Sequence, residues 1–222
     1  MKEKFVKGLK CFFNSYIWLG ILLFVIDIVT KNIIVQNQDK IVGGKNGGID
    51  IIPGFLGINY VINNKIVFGA NIFHNDVATR VVFIVVALLV TAGIIFYLIK
   101  KWDKVNRYYK ACLFMIISGA IGNAVDRIFY NADYLRYVDA SGNYITGVVD
   151  WIDFYGIWGF NFNIADSAVV VAAIMLIVYM IVVDIIDYLK KKKSEPKKEE
   201  DNTKVISKTE QEKNKYLENK DE

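Results

Sequence analysis

The chain is nearly without histidine and cysteine, with one of the first and two of the second in 222 residues. A zinc centre built on histidines or a Ser-His-Asp triad needs more than the lone His74, which has no nucleophile signature around it. Cys11 and Cys112 both fall at what reads as the inner face of a membrane, in a reducing compartment, so no disulfide is expected. Both read as small packing residues. A small-x-small cleavage site after the first apolar stretch is also missing. The N-terminal lysines and the run behind them therefore read as a retained helix, not a removed signal peptide. No internal repeat is evident.

Apolar residues are abundant, at 54% of the chain, and the mean hydropathy is +0.31. The excess sits in four long runs, 12–29, 81–99, 111–128 and 165–186. Each approaches the ~20 residues that cross about 30 Å of hydrocarbon. The reading is one domain of four transmembrane helices over residues 1–188. A Lys/Glu-rich tail follows at 189–222, disordered or marginally helical for want of a core to join.

The net charge of +4 matters less than where the charges lie. Basic residues gather at Lys2, Lys4, Lys7 and Lys10, again at Lys100, Lys101, Lys104 and Arg107, and again at Lys190, Lys191, Lys192 and Lys193. They flank apolar spans instead of lining one folded face, so membrane lipids and not nucleic acid are the expected partners. By the positive-inside rule both termini and the 100–110 loop face the cytoplasm, and segments 31–80 and 129–164 lie outside.

Segment 49–73 is rich in β-branched and aromatic residues, with a turn expected at Asn63-Asn64-Lys65, and 148–154 alternates as a further strand. Trp102, Tyr108 and Tyr109 suit an inner aromatic belt, and Trp151, Tyr155 and Trp158 an outer one. The fold class is thus a mainly α membrane protein. It has four transmembrane helices, a small extracytoplasmic β-sheet and a polar cytoplasmic C-terminal tail.

Two aspartates stand in dense polar signatures at the outer ends of apolar runs. One is in Ser118-Gly119-Ala120-Ile121-Gly122-Asn123-Ala124-Val125-Asp126-Arg127, the other in Phe162-Asn163-Ile164-Ala165-Asp166-Ser167. A charged aspartate at the centre of a membrane helix costs about 2.5–3.5 kcal/mol on insertion scales, so such residues are usually functional. With Asp27 they lie at one depth, and Asp126 with Asp166 has the look of a catalytic pair. Taken singly each has a plain reading: Asp166 as a carboxylate favoured by a helix N-terminus, Asp126 as the partner of Arg127. An ion or proton transporter also uses membrane acids. Against it, these acids cluster near one face instead of the midplane. A scaffold that anchors its cytoplasmic tail is a third class.

At these residues the chain resembles lipoprotein signal peptidase, also called signal peptidase II, a bacterial membrane aspartic peptidase. The resemblance covers roughly residues 12–186. The family's Gly-Asn-x-x-Asp-Arg matches Gly122-Asn123-Ala124-Val125-Asp126-Arg127, and its Phe-Asn-x-Ala-Asp matches Phe162-Asn163-Ile164-Ala165-Asp166. The Val-x-Asp element looks like Val148-Val149-Asp150. Asp-Gln-x-Thr-Lys appears as Asp27-Ile28-Val29-Thr30-Lys31, with Ile28 for the glutamine. In the Asn-x-Gly-x-Ala-Phe element Asn63 and Phe68 are kept, while Lys65 replaces the glycine and Val67 the alanine.

The resemblance implies an endopeptidase of the bacterial cytoplasmic membrane that cuts diacylglyceryl-modified prolipoproteins before the lipidated cysteine. Its site is expected near the outer leaflet. No cofactor or metal is implied, and a monomer is expected. Asp126 and Asp166 are the expected catalytic residues; two carboxylates a few ångströms apart share a proton, and the pair activates water. Asn63, Asn123, Arg127 and Asn163 are the expected substrate-binding residues. Asp27, Lys31 and Asp150 are expected to support them, Asp27 and Lys31 as an interfacial pair. Gly119 and Gly122 allow close helix approach.

Overall fold

The computed structural model describes residue 8 and residues 12–42, 48–64, 76–138, 142–155 and 159–194. The basic N-terminal cluster, Cys11, His74, Lys65 to Phe68, Trp158 and the tail from 195 lie outside the described residues. The chain is mainly helical with one small antiparallel sheet. Four of its described helices are long and apolar enough to cross a membrane.

The first, α1 (Ile17–Gln36), begins after Tyr16, whose left-handed backbone (φ 62°) breaks the helix from the turn before it. It ends at Asn37, whose N–H closes on Ile33 O at 3.1 Å. The sequence alone ends this helix near residue 29, because Asp27 and Lys31 resemble an interface. The helix instead runs on to Gln36 with both charges fully buried, since each meets an opposite charge inside the protein. A short α2 (Gln38–Val42) follows.

Strands β1 (Gly48–Ile52) and β2 (Leu56–Asn63) form a hairpin. Its turn is at Pro53-Gly54-Phe55; β2 ends at Asn63, where the expected turn at Asn63-Asn64-Lys65 runs into residues outside the described ones. Proline fixes the entry, and Gly54 takes the left-handed φ (+74°) that a side chain resists. Helix α3 (Asp76–Lys101) precedes α4 (Arg107–Phe129), which Asn106 starts by accepting the Tyr109 N–H at 2.8 Å. After α4 come the short α5 (Ala132–Leu135), β3 (Val148–Asp153), the two-residue β4 (Asn161–Phe162) and α6 (Ile164–Ser194). Neither α5 nor β4 has a pattern long enough to read from sequence.

Helix α4 packs along both α1 and α3. Its small residues let this happen. A side chain at Gly122 would meet Asp27 Oδ2 at 2.6 Å, and one at Gly119 would strike the Ala165 carbonyl and Val169 of α6. The expected close approach is therefore made at both glycines.

The sheet runs β1-β2-β3-β4, all antiparallel, with Val61 opposite Asp150 and Asn63 opposite Val148. One face carries Tyr60, Ile62 and Val149 into a core with Ile34, Val35, Ile41, Tyr130 and Leu135. Tyr60 Oη donates to Leu135 O at 2.5 Å and ties the sheet to α5. Alternation then turns Asn63 and Asp150 to the other face. The chain divides into two compact units, Met1–Leu176 and Ile177–Glu222. Every residue of the site below belongs to the first. In the second, α6 continues with exposed Ile181, Val182, Ile185 and Ile186 before its lysines.

Candidate active site

The end of α4, the start of α6, the middle of α1 and strands β2 and β3 bring the sequence-predicted polar residues together. Asn163 stands just before α6 and caps it: its Oδ1 accepts the Asp166 N–H at 2.8 Å. A second free N–H of that helix end, at Ala165, donates to Asp27 Oδ1 at 2.9 Å. Two side chains from different parts of the chain thus satisfy the α6 N-terminus. Asp166 lies in its first turn, where the helix dipole favours negative charge.

Lys31 is fully buried and central. Its Nζ lies 2.7 Å from Asp27 Oδ2, 3.0 Å from Asp126 Oδ2 and 3.1 Å from Asn123 Oδ1. The expected Asp27–Lys31 pair is present, but it sits in the protein interior and not at an exposed interface. Asp126 is held twice at one oxygen, by Lys31 and by the Val149 N–H of β3 at 3.1 Å. Its Oδ1 is buried without a hydrogen-bond partner among the described residues. The ion partner of Asp126 is therefore Lys31, not the adjacent Arg127.

Two asparagines join the carboxylates. Asn123 donates from Nδ2 to Asp166 Oδ1 at 2.7 Å and accepts at Oδ1 from Lys31 and, at 3.1 Å, from Asn163 Nδ2. Asn163 Nδ2 also donates to Asp150 Oδ1 at 2.7 Å. Asn63 donates to the other oxygen of Asp150 at 2.9 Å. Each of these amides serves as both connector and spacer, which fixes the acids without charging the site further.

Asp150 is 2% exposed, and burial pushes its carboxyl up to about 8; the nearby charge of Asp166 pushes in the same direction. The amide hydrogen bonds from Asn63 and Asn163 and the charge of Lys31 only partly offset this. At neutral pH Asp150 is then mostly a neutral carboxyl. Lys31 pairs with Asp27 and Asp126, and Arg127 adds a second basic side chain. The Arg127 guanidinium lies over the Phe83 ring, 4.4 Å from its centroid, and its Nη1 donates to Asn123 O at 3.2 Å.

The sequence sets Asp126 against Asp166 and ranks Asp150 among the supports. In the structure Asp126 is engaged by Lys31 and the β3 backbone, and the acid on which the charge of Asp166 bears is Asp150. The signal for Asp150 lies in Val148-Val149-Asp150-Trp151-Ile152: an acid inside an alternating, largely apolar strand needs a buried partner. Arg80 and Phe83 of α3, both at the end of α4, have no such signal. A single arginine and phenylalanine at the head of an apolar helix look like interfacial anchors.

A family model described as signal peptidase (SPase) II matches residues 19–182. The lipoprotein signal peptidase of Fusobacterium nucleatum is 32% identical over 151 residues, covering 68% of this chain and 76% of that protein. That of Clostridioides difficile is 33% identical over 155 residues, 70% of this chain and 86% of its own length. Two solved structures of a bacterial membrane enzyme, both by the in meso method, share the fold. One superposes with a TM-score of 0.57 at 25% identity, covering 75% of this chain and 92% of that one. The other gives 0.55 at 24%, covering 83% and 93%. With the match to the family model spanning most of the length and relatives above 30% identity, the chain belongs to the signal peptidase II family.

Proposed function

We propose that this protein is a membrane aspartic endopeptidase that removes signal peptides from diacylglyceryl-modified prolipoproteins, cutting before the lipidated cysteine. The observation that carries the chemistry is the neutral, buried Asp150 beside Asp166, with Asn63, Asn123 and Asn163 holding both. Burial and the nearby charge of Asp166 disfavour ionisation of Asp150, so Asp150 keeps a proton, the state such a pair needs. The ionised member, Asp166 at the helix N-terminus, takes a proton from water as the water oxygen attacks the scissile carbonyl. Asp150 donates its proton toward the carbonyl oxygen. The intermediate collapses as Asp150 takes back a hydroxyl proton, Asp166 gives the proton it took from water to the departing amine, and the C–N bond breaks. The products are a signal peptide ending in a carboxylate and a lipidated cysteine with a free amine.

Asp126 in this reading is a positioning carboxylate: Lys31 neutralises it and it grips the β3 backbone next to Asp150. One observation favours the pairing of Asp126 with Asp166 expected from sequence, the unpartnered Asp126 Oδ1. Asn63, Asn123, Asn163 and Arg127 are the residues this reading assigns to the substrate backbone, and Asp27 and Lys31 fix the frame. By the positive-inside rule, the basic clusters support a reading with both termini cytoplasmic and the sheet end of the bundle at the outer leaflet. There a lipidated cysteine would lie with its acyl chains in the bilayer. The substrate's lipid then contributes binding energy and fixes the bond in place. A monomer is the expected working form. The domain is residues 1–188, with 189–222 as a solvating tail.

The test is cleavage of a diacylglyceryl-modified prolipoprotein in proteoliposomes by wild type, Asp126→Asn, Asp150→Asn and Asp166→Asn. Loss in the Asp150 and Asp166 variants with residual activity in the Asp126 variant is the expected pattern. Wild-type rates in Asp150→Asn, with none in Asp126→Asn, would move the pair to Asp126 and Asp166. A folded wild type inert on several lipobox sequences would turn attention to ion flux.

A further inference from the structure

Two residues of α3 touch the end of α4 without belonging to any signature. Arg80 Nε donates to Arg127 O, and Arg80 Nη2 donates to Ile128 O at 3.3 Å. These are among the last four carbonyls of α4, which have no acceptor role inside the helix, and a cation there also meets the negative end of the dipole. Phe83 lies three residues on, on the same face of α3, and carries the Arg127 guanidinium on its ring. From below, Arg127 is tied to Asn123 O. Backbone and side chain of Arg127 are thus held from one helix face, while Asn123, one turn earlier, holds Asp166.

We propose that Arg80 and Phe83 are positioning residues that act through Arg127, keeping its guanidinium as a fixed cation facing the Asp150–Asp166 pair. The inference rests on the proposed aspartic chemistry. A cation that wanders among rotamers screens the pair less than one pinned in place, and a planar guanidinium on an aromatic face is pinned at little entropic cost. The charged groups around Arg127 are Asp126 on its own helix, Asp150 on β3, Asp166 on α6 and Arg80 on α3. Lys31 of α1 completes the set through Asp126. The three acids attract the guanidinium and Arg80 repels it, while the Phe83 ring holds its flat face.

The experiment replaces Phe83 by Leu, Tyr and Trp and Arg80 by Gln and Lys, and reads two quantities. The first is the pH profile of kcat/KM on a lipidated prolipoprotein. The second, independent of turnover, is the infrared titration of the Asp150 carboxyl band, assigned by its loss in Asp150→Asn. Phe83→Leu is expected to lower kcat roughly tenfold at nearly constant KM, the size of about 1.4 kcal/mol in the barrier. It should also move the Asp150 titration to higher pH, because the cation that favours its ionised form is no longer fixed. Phe83→Tyr and Phe83→Trp keep the π face and should keep both wild-type values. Arg80→Gln should follow Phe83→Leu, with Arg80→Lys in between. In an Arg127→Gln background Phe83→Leu should leave the titration where Arg127→Gln alone puts it, since contacts acting through one residue are not additive.

An unmoved titration in Phe83→Leu overturns the proposal, as does an equal shift in Phe83→Leu with or without Arg127. Phe83→Tyr behaving like Phe83→Leu would also overturn it, since that marks plain packing. If wild type cleaves no lipoprotein while the carboxyl band still responds as described, the positioning stands and the proposed reaction fails instead.

Discussion

Helices α3 and α4 lie side by side and are built on opposite plans. In α4, 44% of the most apolar window is buried; in α3 the figure is 11%. Helix α4 spends that burial on Ser118, Gly119, Gly122, Ala124 and Asp126, small or charged residues that only protein neighbours can accommodate. Helix α3 turns Val81, Val85, Leu88, Leu89, Phe96 and Ile99 outward, as suits acyl chains. At its head Arg80 donates to the end of α4, and Thr91 lies buried halfway along. In lipid there is no hydrophobic gain in bringing two apolar helices together, so contact follows small residues and polar bonds. The helix that carries Asn123, Asp126 and Arg127 is accordingly the less apolar one.

The sharpest way to exploit this difference is through the acids themselves. Asp150→Asn or Asp166→Asn should remove cleavage by about three orders of magnitude or more, the scale of losing one member of a unit that acts together. Asp126→Asn should cost about ten- to a hundredfold and leave measurable turnover. The check is single-turnover cleavage with protein of confirmed secondary structure. A variant at α4 more damaging than one at β3 would return the chemistry to the deeply packed helix.

Next in size is Lys31. It faces Asp27 and Asp126 with no exposure at all, so Lys31→Met leaves buried carboxylates without their cation. Breaking such a pair typically costs about 3–5 kcal/mol. The variant should unfold at clearly lower temperature in detergent. Lys31→Met together with Asp126→Asn should recover part of the loss, because one orphan charge goes with the other.

A third prediction concerns pH. Asp150 binds its proton more tightly folded than unfolded, with a folded value of about 8 against an ordinary 3.8. Its contribution to stability is whole below the ordinary value and fades as pH rises through about 8. Wild type should therefore lose thermal stability from mildly acidic pH toward about 8, and Asp150→Asn should flatten that slope. An equal slope in the variant would assign the titration to another group.

The four spans and the presence of an outer strand region are legible because apolar length and β-branched alternation are local properties. The end of α1 is not: Asp27 and Lys31 look like an interface until Asp126 and the α6 N-terminus are folded against them. The hairpin turn at Pro53-Gly54 is missed in the sequence because the run 49–63 reads as one strand region, and only the pairing of β1 with β2 shows where it folds back. That Asn63, Asn123, Asp150, Asn163 and Asp166 belong to one site follows from the signatures as a group. Which acid faces which depends on β3 lying over the start of α6, a long-range fact that spacing along one chain does not carry.

The smallest effect separates the two helices most cleanly, because it uses the same substitution in both. Gly122→Ala puts a methyl group 2.6 Å from Asp27 Oδ2 and 3.2 Å from Ala165 Cβ, so α4 must shift away from α1 and α6. Overpacking of this kind costs about 1–3 kcal/mol, and here it also loosens the Asp27–Lys31 pair. At Gly93 of α3 no described residue lies within 4 Å, so the added methyl meets no described neighbour. Gly93→Ala gains about 0.5–1 kcal/mol of helix propensity and should leave cleavage unchanged. Thermal unfolding of both variants in one detergent reads the difference: Gly122→Ala down, Gly93→Ala level or slightly up. A stability loss at Gly93 as large as that at Gly122 would mean that α3 has a packed neighbour on that face, and the contrast between the helices would fall.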